Sequence, residues 1–349
     1  MHKMINSREE SIIDYLSKSP SVSSKEIFDN CSLDVSYATL KRILLKLIDE
    51  QIIESIGQGK GTKYVISKSY NLLAPVNIDL YYNKEIDERS IKDSFNSNVI
   101  TDVLKSAKLF TNKETELLNK LQNQYLKNVG ELSEFECNQE LERLAIDLSW
   151  KSSQIEGNTY SLLETERLLK EKETASGKSK DEAAMLLNHK DAIDFIIDTP
   201  DYLEPLSVSK IEDIHSILIK ELNVERNLRT RRVGISGTNY RPLDNEFLIR
   251  DALESTCNLI NTKIDVFEKA LLTLVLISYI QPFMDGNKRT ARIVSNAILM
   301  NNNHCPLSFR TVDSIDYKKA MLLFYEQNNI SEFKKIFIEQ FEFAVKTYF

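Results

Sequence analysis

Apolar residues recur mainly at three- and four-residue spacing, which predicts helices along most of the chain. Ile12, Ile13 and Leu16 share one face of a helix over residues 9–17. Ser23-Ser24-Lys25-Glu26 offers a helix start leading to Ile27 and Phe28. Ser36 caps a third helix that turns Leu40, Ile43, Leu44, Leu47 and Ile48 inward, with Val35, Tyr37, Thr39, Lys41, Arg42 and Lys46 on or near the other side. Residues 52–56 and 63–66 read as two strands joined by a basic glycine-rich turn at 57–61. Residues 69–97 mix Asn, Ser and Asp with short apolar patches around Ala74-Pro75 and predict a linker. From residue 98 onward the period is helical again, through Val99, Leu118, Leu144, residues 183–197, 208–219 and 245–260, the apolar run 270–280, and 288–300. The last helices place Tyr317, Leu322, Leu323, Phe324 and Phe337 in the core. Outside 52–66, only residues 231–242 alternate between glycines, predicting a β-hairpin that turns near 236–239.

The first 68 residues resemble a winged helix-turn-helix. Such a unit places its third helix in a major groove and its wing lysines, here Lys60 and Lys63, on phosphates; it also serves for docking or dimerisation. Residues 1–69 carry ten Lys and Arg against nine Asp and Glu, close to neutral. DNA binding through residues 36–63, protein docking and a homodimer therefore all stay open.

Composition narrows the class. The 349 residues allow two or three domains, and 9 glycines and 7 prolines favour helix. A net charge of −7 argues against nucleic-acid binding over the whole surface. Four scattered cysteines (Cys31, Cys137, Cys257, Cys305) without a CxxC pair argue against a disulfide or zinc framework. No apolar segment follows residues 1–6, and the run 270–280 is too short to span a bilayer, so a cytoplasmic protein without a membrane segment is expected.

The candidate chemistry lies at Gln281-Pro-Phe-Met-Asp-Gly-Asn-Lys-Arg-Thr-Ala-Arg292. Pro282 interrupts the helix before it, and Gly286 and Asn287 suit a tight turn ahead of the next one. Such a turn gathers backbone N–H groups at a helix N-terminus, where anions are favoured. Arg289 and Arg292 leave the same face of that helix, and Asp285 stands on the lip where a divalent cation could bridge phosphates. The pattern suits a polyphosphate with Mg²⁺.

This stretch resembles the signature of the Fic family, His-Pro-Phe-x-Asp/Glu-Gly-Asn-Gly/Lys-Arg-x-x-Arg, at every defined position but the first. There the family has the His that takes the proton from a target hydroxyl attacking the α-phosphate of ATP, and this chain has Gln281. A glutamine amide cannot accept a proton near neutrality. The resemblance covers residues 98–349 and implies an all-α Fic core with a β-hairpin flap, preceded by the winged helix. It implies Asp285 on Mg²⁺, Gly286 and Asn287 on the α-phosphate, and Arg289 and Arg292 on the β- and γ-phosphates, with Lys288 where the family has Gly or Lys.

Ser152 and Glu156, followed by Gly157-Asn158, resemble the family's inhibitory motif on a helix over about 148–158; the resemblance implies that Glu156 pairs with Arg292 and tilts ATP out of a productive pose. It implies that the hairpin, with Gly237, Thr238, Tyr240 and Arg241, aligns a target peptide by strand addition. The activity so implied is AMP transfer from ATP to a Ser, Thr or Tyr hydroxyl of a protein, impaired or silent because of Gln281. The alternative is a nucleotide-responsive regulator acting through the winged helix. His189 and His215 are expected to be structural.

Overall fold

The computed structural model describes residues 6–31 and 33–349, and the side chain of Lys60, to which a phosphate contact was assigned, lies outside the description. The chain opens with α1 (Ser7–Ser17), β1 (Val22–Ser23), α2 (Ser24–Asn30), α3 (Tyr37–Asp49), β2 (Ile53–Ile56) and β3 (Lys63–Ile66). Local chemistry sets these starts. Asn6 with Glu9 and Ser23 with Glu26 form reciprocal caps, and the Ser36 side chain accepts from the Thr39 amide. The sheet is antiparallel in the order β1-β3-β2, with Val22 opposite Tyr64 and Ile53 opposite Ile66. Ile12, Ile27, Leu40, Leu44, Leu47 and Ile52 close a small core of its own.

The segment expected to be a linker holds α4 (Tyr70–Leu73) and α5 (Ile78–Tyr82) and is strapped to the rest of the chain. Leu72 and Leu73 enter the main core, and the Ile330 amide donates to the Leu72 carbonyl. Tyr81, Arg89 and Lys92 converge on Glu326, and the Asn96 amide donates to the Tyr279 hydroxyl. Composition alone suggested a loose connector. A few long polar side chains reaching buried partners fasten it instead.

The main body comprises α6 (Leu104–Ser106), α7 (Asn112–Glu131), α8 (Glu134–Ile155), α9 (Leu162–Glu171), α10 (Lys180–Asp198), α11 (Val208–Leu218), α12 (Glu246–Thr262), α13 (Val266–Ile280), α14 (Asn287–Asn301), α15 (Ser314–Gln327) and α16 (Ser331–Thr347). Helix α13 is apolar on all sides and buried from Ala270 to Ile280, as a central helix must be. Helices α12, α14, α15 and α16 pack around it, and α8, α10 and α11 add a further layer against α14. Among the described residues no helix is long and apolar enough to cross a membrane.

Residues 231–242 are not a hairpin. They turn at Ser236–Gly237 with no ladder between the two arms. The end of the second arm is engaged elsewhere: the Arg241 amide donates to the Asp93 carbonyl, and Ser94 bridges Arg241 in parallel. Pro242 has no amide to offer. The alternation that suggested strands serves burial of Tyr240, which is 2% exposed, stacks on Tyr279 and donates its hydroxyl to the Tyr279 carbonyl. The Tyr240 side chain, to which a target contact was ascribed, is therefore packed in the core, while Gly237 and Arg241 stay exposed and Thr238 half-buried.

Candidate functional site

Helix α13 runs into a tight loop, and α14 leaves it. Gln281 ends α13 at φ +52°, and Gly286 starts α14 at φ +82°, a conformation glycine adopts without strain. A side chain at Gly286 would also press within 3.3 Å of the His215 ring, which stacks on Phe283. No side chain caps α14, so its first amides and partial positive charge are left for an anion.

Asn287 holds the loop together. Its Oδ1 accepts from the Phe283 amide at 2.8 Å, and its Nδ2 donates to the Phe283 carbonyl at 2.8 Å and to Gln281 Oε1 at 3.1 Å. The resemblance gave Asn287 a phosphate. Here its side chain is committed to the loop, and only its backbone can face a ligand. Removing the side chain by Asn287→Ala should cost about 2–3 kcal/mol of stability, because a buried amide and carbonyl lose their partners; equilibrium denaturation would read it.

Gln281 is equally committed. Its Nε2 donates to the Ser278 carbonyl at 2.6 Å and lies 3.3 Å from the Tyr325 hydroxyl, while its Oε1 accepts from Asn287. Its backbone carbonyl accepts from Arg229 Nε at 2.6 Å. Tyr325 offers no base, since burial drives its phenol well above the ordinary value.

Arg292 is fully buried. Its Nε donates to Ser152 Oγ at 2.7 Å, and its Nη2 to the Ser152 carbonyl at 2.9 Å and to Glu156 Oε1 at 3.0 Å. Ser152 Oγ also hydrogen-bonds His189 Nε2, 2.7 Å away. His189 is buried and held well below its usual value, first by burial and then by Arg292 and Arg289, so its ring is neutral. Lys288 takes the other Glu156 oxygen at 3.3 Å. Burial pushes the Glu156 carboxyl up, but Arg292 and Lys288 outweigh it and leave the group below the usual carboxylate range. Helix α8 ends at this carboxylate, and Gly157 at φ +102° turns the chain away.

Arg289 is buried, reaching the Leu218 carbonyl and, at 3.2 Å, Asp285 Oδ2. The Asp285 side chain is 63% exposed and accepts from the Gly286 amide at 2.6 Å. Among the described residues no group of three or more His, Cys, Asp or Glu could hold a metal. One exposed carboxylate beside an anion-binding turn suits a Mg²⁺ that arrives with phosphates.

Glu156, Lys288, Gln281 and Tyr325 line a cleft of about 330 Å³, with Gly234–Ser236 of the 231–242 loop across from them. The sequence gave no sign of how this loop is held. Arg229, fully buried, donates to the Gln281, Arg231 and Leu243 carbonyls, and its amide to Pro282, so one guanidinium ties both ends of the loop to the end of α13.

His215 Nε2 lies 3.0 Å from the Asp285 carbonyl and Nδ1 3.2 Å from that of Arg226. A neutral ring can donate to only one of them. Burial, the leading influence, pulls its pKa down to about 4. The unfolded chain binds a proton near pH 6.5 that the folded one refuses, so stability is lost as pH falls from about 6.5 towards 4, on the order of 3 kcal/mol. His215→Gln should flatten part of that slope in denaturation curves taken across this range.

Residues 205–299 match the Fic/DOC family. A protein adenylyltransferase Fic of Nematostella vectensis is 29% identical over 172 residues, 48% of this chain and 40% of that protein. A probable protein adenylyltransferase of Aquifex aeolicus is 31% identical over 109 residues, covering 31% of this chain and 34% of the relative. The chain thus spans well under half the length of these relatives. Among solved structures, Fic-1 from C. elegans superposes with a TM-score of 0.58 at 20% identity, covering 67% of this chain and 71% of that one. A Fic-domain signalling protein of Bacteroides thetaiotaomicron gives 0.57 at 18% identity, covering 66% and 95%. These likenesses show a shared fold, and the motif at 281–292 falls inside the matched region. The chain contains a Fic/DOC-family domain, matched over residues 205–299.

Proposed function

We propose that the cleft at the head of α14 binds Mg·ATP and carries the chemistry of AMP transfer to a protein hydroxyl, held off by Glu156 and impaired by Gln281. The reading rests above all on the Arg292–Glu156 contact at 3.0 Å, a buried guanidinium neutralised by a carboxylate beside an uncapped helix N-terminus. A γ-phosphate would compete for Arg292 and Lys288, β-phosphate oxygens for Arg289, and the α-phosphate for the amides of Gly286 and Asn287. Asp285 would hold the Mg²⁺. The target oxygen would bond to the α-phosphorus as the bond to the β-phosphate breaks and pyrophosphate leaves. The hydroxyl proton must then go to solvent or to a group on the target, because the Gln281 amide cannot take it.

Labelled ATP tests the reaction class. With Glu156→Gly and a candidate protein target, label in the α-phosphate should enter protein and label in the γ-phosphate should not. Transfer of the γ-label alone would replace AMP transfer by phosphoryl transfer.

A second reading, a nucleotide-responsive regulator without turnover, is favoured by the saturated amide of Gln281. Its output would pass through the N-terminal unit, read as a winged helix. There Lys46 is spent on Glu9 at 2.6 Å, and Lys41 rests against Tyr37 and Tyr64. Leu45 on α3 is 66% exposed and Ile56 on β2 55%. The paired Lys46 and the tyrosine-packed Lys41, beside exposed apolar side chains, favour a protein surface, including a second copy of this chain, over DNA.

A further inference from the structure

Glu326, on α15 one residue after Tyr325, is wholly buried. Both its oxygens take Arg89 Nη1, at 3.1 and 3.3 Å, and one also takes the Tyr81 hydroxyl at 2.6 Å. Arg89 comes from the strap between the N-terminal unit and the main body and lies over the Tyr82 ring. Its Nη2 donates at 2.9 Å to the Gly237 carbonyl, at the turn of the 231–242 loop. Gly237 sits at φ +88°, where a Cβ would lie 3.5 Å from Leu322, so the turn rests on α15. Three more strap contacts follow the same arm: Asp87 with Asn239, Asp93 with the Arg241 amide, and Ser94 beside Arg241. The other arm, residues 233–236, makes no backbone hydrogen bond among the described residues, and its Gly234–Ser236 face the cleft.

We propose that Arg89 is a positioning residue: bridging Glu326 and the Gly237 carbonyl, it fixes the 231–242 loop over the cleft, while the strap fills the loop's outer edge. The edge left open for an added strand is then the arm at 233–236. This rests on reading the loop as the cover of the nucleotide site. The guanidinium fork suits the task, because two nitrogens at fixed angles serve a carboxylate on one side and a carbonyl on the other. A lysine in its place keeps the charge facing Glu326 but presents a single nitrogen.

Amide hydrogen exchange of the full chain tests this without ATP. In the unsubstituted chain the amide of Arg241 should exchange slowly and those of 233–236 fast. Arg89→Lys should raise exchange at 238–241 roughly 10- to 100-fold, the loss of one charge-assisted hydrogen bond, and leave α13 and α14 unchanged. The pair Arg89→Met with Glu326→Gln, which leaves no buried charge unpaired, should do the same. Unchanged exchange at 238–241 in both variants, a rise spread over the whole chain, or slow exchange at 233–236 would each overturn the proposal. The nucleotide reading fails separately, if Mg·ATP does not bind to Glu156→Gly while the loop still responds to Arg89→Lys.

Discussion

Placing histidine at position 281 in a chain that also carries Glu156→Gly should raise AMP transfer by about 10²- to 10⁴-fold over Glu156→Gly alone, the usual contribution of a positioned base. Every polar atom of the Gln281 side chain already has a partner, in Ser278, Tyr325 and Asn287. Those bonds stabilise the end of α13 but leave nothing that can take a proton. An imidazole there could donate through one nitrogen to the Ser278 carbonyl, as the Gln281 amide does, and turn the other, unprotonated, to the cleft. Single-turnover transfer of α-labelled AMP is the measurement. Equal rates with Gln and His would mean that the proton leaves by another route, and that position 281 serves only to close the helix.

Glu156→Gly should destabilise the empty chain by about 3 kcal/mol, since it strands a buried guanidinium. The value falls at the low end of the range for broken buried pairs because Arg292 keeps Ser152. Saturating Mg·ATP should return most of it, about 2.7 kcal/mol at a hundred times the dissociation constant. Thermal unfolding with and without nucleotide reads both halves. The pair's response to pH follows from the depressed carboxyl of Glu156. Its stabilisation is complete above the ordinary carboxyl range and is lost only as pH falls through the lower folded value. Changes of pH between about 5.5 and 8 should therefore not release the clamp, although His215 lowers overall stability in the acid part of that interval.

What the sequence revealed of the site was its local chemistry. The turn at Gly286, the uncapped start of α14, the common face of Arg289 and Arg292, and Asp285 on the lip all follow from neighbours within a few residues. What it hid are contacts across long separations. Arg229 reaches Gln281 over 52 residues, His189 reaches Ser152 over 37, and Arg89 reaches Glu326 over 237. No period or turn signal marks such residues, since a buried arginine reads like a surface one until its partner is known. The same blindness made a strap look like a linker. At 231–242 the alternation was real, but it records one buried tyrosine and backbone groups paired with the strap, and a strand ladder was the wrong structure to read from it. The helices fared better because α13 and its neighbours bury long regular faces.

The central claim is that Glu156 occupies a place on Arg292 and Lys288 that belongs to a nucleotide phosphate. Calorimetric titration of Mg·ATP into the unsubstituted chain and into Glu156→Gly tests it directly. Freeing one charge-assisted contact for the phosphate predicts tighter binding to Glu156→Gly by roughly 10- to 100-fold. Equal or weaker binding to Glu156→Gly would contradict the account, leaving the Glu156–Arg292 pair as a structural contact of the fold.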